Sequence, residues 1–299
     1  MTNIQTLDLE FNGATGIIAS FLAPVEDGFV VFDTGPASAA EVVERRVNEE
    51  GFDLDQLRAI FATHVHLDHA GGAGVLSRKT GCRVYAHPLG APHLAHPEDK
   101  LLPSAERIYR DMMVPLWGVT EGVPEDRVRA LEDGESVEIG GLEIVARHTP
   151  GHAVHHVAWH IGDAVATGDV AGVRFPGATH VLPPMPPPDI NIEHWRASLA
   201  VLRRLRPARL LLTHFGAFDD PERHLDELEE RLLIWTETAR RIVADGGDRT
   251  ALGEALLAAD EIEMEALAVP AETVARYRKL CPMKENSAGL FRYCSKASS

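Results

Sequence analysis

Cysteine is scarce in this 299-residue chain: Cys82, Cys281 and Cys294 are an odd number at wide spacing and form no C-x-x-C. The pattern supports neither a disulfide framework nor a thiol redox motif, and Cys82, inside Cys82-Arg83-Val84-Tyr85, reads as a core residue. Basic residues are also outnumbered, 29 Lys and Arg against 45 Asp and Glu, for a formal charge of −16 and a pI near 5.3. A field of that sign repels polyphosphate partners, so nucleic acid is not an expected ligand. No apolar run is long enough to span a bilayer, and Met1-Thr2-Asn3-Ile4 lacks the regions of a signal peptide, so the expected protein is cytoplasmic and makes no membrane contact. No G-x-S-x-G marks a serine nucleophile, and no repeat period points to a solenoid.

Histidine is what the chain has in quantity, 15 residues in all. The segment 63–72 reads T-H-V-H-L-D-H-A-G-G and packs three histidines and an aspartate into six positions. It follows the apolar run 57–62, in which Ile60-Phe61-Ala62 reads as a buried strand, and it leads into a helix expected to begin near Gly71. Side chains on such a turn can converge on one point. Imidazole and carboxylate together suit a borderline divalent ion such as zinc, and at neutral pH they are largely in their ligating protonation states.

Three further strand-end loops carry the same residue types. His148-Thr149-Pro150-Gly151-His152 follows 143–146, Thr167-Gly168-Asp169 follows 164–166, and Thr213-His214-Phe215-Gly216 follows 209–212. Taken singly, His152 could cap a turn, Asp169 could be a turn residue and His214 a satisfied buried histidine. Taken together they repeat one pattern, and loops at one end of a sheet are where a scaffold usually carries its function.

The ordered motifs T-H-x-H-x-D-H, T-P-G-H, G-D and T-H-F-G resemble the metallo-β-lactamase-fold hydrolases, particularly their glyoxalase II-like branch, and Asp33-Thr34-Gly35 looks like that family's early D-T-G turn. The resemblance covers roughly residues 4–245. It implies an α/β chain folded as a four-layer αββα sandwich. It also implies two divalent metal ions, zinc first with iron or manganese as alternatives. His64, His66 and His152 would hold one ion, Asp68, His69 and His214 the other, and Asp169 would bridge them, with Asp33 supporting the site. The implied chemistry is hydrolysis of a small ester, thioester or lactone by a metal-bridging hydroxide that Asp68 orients. An alternative is a mononuclear iron dioxygenase acting on a persulfide, whose ligand set overlaps. A lesser one is a non-catalytic or redox module, against which His66 counts, because electron-transferring relatives carry an acid there.

The coarse pattern gives strands at 4–10, 16–22 and 29–32, a helix at 37–50, the motif strand, a helix at 71–80 and a strand at 83–86. Residues 88–126 lose periodicity among prolines and read as an insertion over the site. Strands follow at 128–131, 136–139, 142–146, 154–160 and 164–166, then a helix at 192–205, a strand at 209–212 and a helix at 221–244. Residues 1–245 are thus expected to be the catalytic domain and 246–299 a helical extension, with helices at 250–259 and 271–280 and an apolar end at 288–293. A proline-rich stretch at 175–190 is expected to be a stiff wall or lid. His155 and His156, on a strand beginning at 154, would point to opposite faces. Tyr109, His180, His148, His93 and Trp117 are weaker pocket candidates. The expected partner is a small-molecule substrate; the oligomeric state is open, a homodimer included.

Overall fold

The computed structural model describes residues 3–297. Its first sheet is built from β1 Gln5–Asp8, β2 Ala19–Val25, β3 Gly28–Phe32, β4 Leu57–Phe61, β5 Arg83–Ala86 and β6 Val128–Ala130, in that spatial order. β1, β2 and β3 pair antiparallel, whereas β3 through β6 run parallel. Parallel strands need crossovers, and the chain supplies α1 Ala40–Glu49, α2 Leu67–Ala70, α3 Ala73–Thr80, α4 Ala91–Ala95, α5 Leu101–Tyr109 and α6 Met113–Trp117 between them. Every residue of β3 is buried, the pattern of a strand covered on both faces.

The second sheet contains β7 Ser136–Ile139, β8 Leu142–His148, β9 Val157–Ile161, β10 Ala164–Ala166, β11 Arg209–Leu212 and β12 Gly216–Phe218. Only β10 and β11 pair parallel; the other neighbours are antiparallel. The two sheets share one core, with Phe21, Val30, Phe32 and Phe61 meeting Ile144, Ala146, Trp159 and Leu211. Phe61 is its centre: its ring centroid lies 5.3 Å from that of Phe32, 4.8 Å from that of Tyr85 and, in a T-shaped contact, 5.1 Å from that of Trp159. Aromatic contacts of this geometry add to the burial of large apolar surface.

The chain divides into two compact units. One comprises the residues up to His148, His155–Gly168 and Pro207–Asp219, and holds both sheets. The other comprises Thr149–Val154, Asp169–Arg206 and the residues from Asp220 onward. It contains α7 Ile192–Leu205, α8 Pro221–Ala244, α9 Arg249–Ala266, α10 Ala271–Leu280 and α11 Met283–Ala297. The fold class is the expected α/β arrangement of paired sheets with helices following residue 246. Among the described residues no helix is long and apolar enough to cross a membrane.

Several boundaries differ from the sequence reading, each for a local reason. β2 runs through Pro24 to Val25, because beyond Leu22 only β3 pairs with it and a missing N–H is tolerated. The helix expected from Gly71 begins earlier, as α2, and breaks where Gly72 N–H donates to the Gly35 carbonyl. β9 starts at Val157 rather than Val154, with Val157 N–H bonded to the Thr63 carbonyl. α9 continues to Ala266 because its buried face reads Leu252, Leu256, Asp260, Met264; a charged residue in that row hides the repeat.

Two histidines make this fold acid-sensitive. Burial pushes His87 down to about 4, helped by the neighbouring His148 ring stacked at 3.9 Å. Burial also pushes His224 down to about 4, although its donation to the Ala171 carbonyl at 2.7 Å acts the other way. Both folded values lie below the unfolded 6.5, so the unfolded chain binds more protons between them. The contribution is full above about pH 6.5 and is lost as pH falls from there through about 4. Urea denaturation at stepped pH should show this loss, and His87→Asn, which keeps an acceptor for the Leu89 N–H, should show less of it; equal losses in the two proteins would contradict the assignment.

Candidate metal centre

Asp33 ends β3 in the left-handed region, φ 53°, a conformation that aspartate tolerates better than most residues. Its carboxylate is buried and accepts from three places. Thr63 N–H and hydroxyl reach Oδ1 at 2.8 and 3.0 Å, while the Thr213 hydroxyl and His69 Nδ1–H reach Oδ2, each at 2.8 Å. The adjoining Thr34 and Gly35 N–H groups donate to the His69 carbonyl at 2.7 and 3.1 Å, clamping α2 against the D-T-G turn.

These bonds decide where the lone pairs point. A carboxylate can only accept, so His69 carries its proton on Nδ1 and presents a bare Nε2. His214 Nδ1–H donates to the Ile17 carbonyl at 3.0 Å, which likewise leaves its Nε2 bare. The two Nε2 atoms stand 3.2 Å apart, with Asp68 Oδ2 3.4 Å from His214 and 3.8 Å from His69. Three electron-pair donors converge within 4.8 Å of one another. A proton can bridge one pair of them, whereas a divalent cation serves all three, so the donor set fits a metal ion. Beside them His64 Nε2 lies 2.9 Å from His66 Nδ1, and His64 Nδ1 lies 3.2 Å from the Thr63 hydroxyl that bonds Asp33.

In the second unit the same logic recurs at His152 and Asp169. His152 Nδ1–H donates to the Pro184 carbonyl at 2.9 Å, and its Nε2 faces Asp169 Oδ2 at 3.3 Å. Two acceptors again oppose each other. The T-P-G-H turn that delivers His152 is packed on α7: the imidazole meets the Trp195 ring edge-on at 5.8 Å, and Ser198 hydroxyl donates to the Pro150 carbonyl at 2.6 Å. Gly151 has φ 138°, and a Cβ there would collide with Trp195. Asp169 sits in the 3-10 turn Gly168–Ala171.

The remaining candidates separate by location. His155 and His156 precede β9, in a turn, so strand alternation does not divide them; their rings lie 6.3 and 5.1 Å from that of His64. His93 lies 6.3 Å from His155. His148 stacks on His87, and Tyr109 packs edge-on to Trp117 at 5.0 Å. His180 is buried in the second unit, bonded to Asp260 at 2.8 Å. Sequence reasoning passed over Thr63 and Thr213 as parts of the site, although each directly precedes a motif histidine. The carbonyls of Ile17 and Pro184 have no signal in the side-chain sequence at all.

The chain is 31% identical over 179 residues to the metallo-beta-lactamase fold-containing protein ST1585 of Sulfurisphaera tokodaii, a match covering 58% of this chain and 67% of that one. The crystal structure of ST1585 superposes with a TM-score of 0.62 at 26% identity, covering 79% of this chain and 86% of that one. A hydroxyacylglutathione hydrolase of Acidiphilium cryptum is 27% identical over 220 residues, 71% of each chain. The metallo-beta-lactamase family protein TTHA1429 of Thermus thermophilus shares the fold over 99% of this chain and 94% of its own, with a TM-score of 0.67 at 19% identity.

The geometry predicts that Asp33→Asn, which gives His69 a neutral amide in place of a carboxylate, weakens zinc binding about 10- to 100-fold in chelator competition; unchanged affinity would show that the carboxylate does not tune the donors. Every motif from the D-T-G turn to Thr213-His214 falls within residues 14–214, which match the sequence profile of the metallo-beta-lactamase superfamily, and the chain belongs to that superfamily.

Proposed function

We propose that this chain is a dinuclear metal-dependent hydrolase that cleaves a small ester, thioester or lactone. The observation that carries the reading is the pair of Nε2 atoms of His69 and His214 facing each other beside Asp68, each ring having given its Nδ1 proton to a fixed acceptor. In this reading His64, His66, His152 and Asp169 would hold one ion, and Asp68, His69 and His214 the other. Imidazole and carboxylate donors suit zinc, with iron or manganese as the alternatives. When bound, such ions would polarise a substrate carbonyl and acidify a bound water.

The chain's own groups do the rest. The Asp68 side chain is 24% exposed while His69 and His214 beside it are buried, so of these three donors the carboxylate is the one that solvent and substrate can reach. It orients the attacking water and passes its proton toward the leaving group, as a general base and then an acid. The expected substrate is a small molecule, with no role for nucleic acid or membrane. Similarity to a hydroxyacylglutathione hydrolase supports a thioester among the substrates, and a cytoplasmic setting is part of the reading.

His64→Ala and Asp169→Ala should each lose bound metal and hydrolysis together, measured by elemental analysis and a panel of thioesters, lactones and aryl esters. Full activity in metal-stripped protein would contradict the proposal.

A further inference from the structure

We infer that the C-terminal helix α11 is a positioning device for His152, acting through Asn286 and Gly289 on the proline-rich strap. The inference rests on the reading of His152 as a metal ligand.

The strap reads Leu182-Pro183-Pro184-Met185-Pro186-Pro187-Pro188. Proline has no N–H, so Met185 supplies the sole backbone donor between Pro183 and Pro188. That donor is spent on α11: Met185 N–H bonds to Asn286 Oδ1 at 2.8 Å, and Asn286 is only 2% exposed. An N–H cannot accept, so the side-chain oxygen is the partner whichever way the amide is drawn. The residue before Met185 is Pro184, whose carbonyl takes the Nδ1 proton of His152. One peptide unit therefore joins the two bonds, with α11 on one side and the imidazole on the other.

Packing enforces the same register. A Cβ on Gly289 would collide with the Met185 carbonyl oxygen and crowd Ile190, so α11 lies directly against the strap backbone. Upstream, Tyr277 hydroxyl of α10 donates to the His180 carbonyl at 2.5 Å, and Arg231 of α8 donates to the Val181 carbonyl at 2.5 Å. Leu182 exchanges both backbone bonds with Val173, at 2.8 and 2.9 Å. The strap is thus held by side chains from three C-terminal helices, and the last of these grips it one residue from the acceptor that sets the His152 tautomer. An acceptor of this kind fixes ring direction and ligand basicity, and its loss typically costs about 10- to 100-fold in metal affinity. The helices after residue 246 hold a ligand in place, a role that needs no contact with substrate.

The test uses the full-length zinc-loaded protein, with zinc affinity read by chelator competition and the His152 Nδ1 proton followed by NMR. Asn286→Ala removes the acceptor, and Gly289→Ala pushes the strap while leaving every hydrogen-bonding group in place. Each should weaken one of the bound ions by about 10- to 100-fold and speed exchange of the His152 Nδ1 proton. Asn286→Asp, which keeps an oxygen at the same place, should restore both readouts. Leu290→Ala, a buried truncation in the same helix, should lower thermal stability and leave both unchanged. Wild-type zinc affinity and proton exchange in Asn286→Ala and Gly289→Ala, with His152→Ala losing an ion, would overturn the inference alone; His152→Ala retaining both ions would overturn the ligand assignment beneath it. An equal affinity loss in Leu290→Ala would reduce the effect to general packing and overturn the inference too.

Discussion

A single buried carboxylate, Asp33, ties the site to the fold. It stands at the end of β3 in the first sheet, bonds Thr63 at the end of β4, and reaches Thr213 at the end of β11 in the second sheet. Its remaining lone pair turns His69 so that Nε2 faces His214. The same group therefore registers two sheets and one imidazole. A buried charge is costly unless its lone pairs are answered, and these are answered by groups from three different strand ends or helices.

A second regularity runs through the donors. His69, His214 and His152 each give Nδ1–H to an acceptor that cannot donate in return: a carboxylate, the Ile17 carbonyl and the Pro184 carbonyl. Each ring is left with an unprotonated Nε2 in a buried position, aimed at another acceptor: His69 and His214 at each other, and His152 at Asp169. A cation is the partner that lone pairs so opposed can share. Distributing the acceptors over a helix-clamped turn, a loop carbonyl and a proline strap means that misplacement of any one element changes the donor geometry without touching a ligand.

Much of this was legible in the letters, and the exceptions are instructive. The strand-then-loop pattern that delivers His64, His66, Asp68 and His69 is local, so residues 57–72 displayed it directly. His152, Asp169 and His214 are far apart in sequence, and they became readable because each follows an apolar strand. His155 and His156 were misplaced relative to each other because β9 begins after them, where the period of two does not apply. α9 was cut short at a buried charge, Asp260, whose burial opposes ionisation but is outweighed by the bonds from His180 and Arg278, which hold its carboxyl below the usual range. The carbonyls that set the tautomers were invisible because backbone oxygen is the same in every residue.

The central claim is that the paired acceptors mark a two-ion site, and the most direct measurement is the metal content of untreated protein by elemental analysis. The account predicts about two divalent ions per chain, zinc foremost. A single iron per chain, accompanied by oxygen uptake on a persulfide, would contradict it.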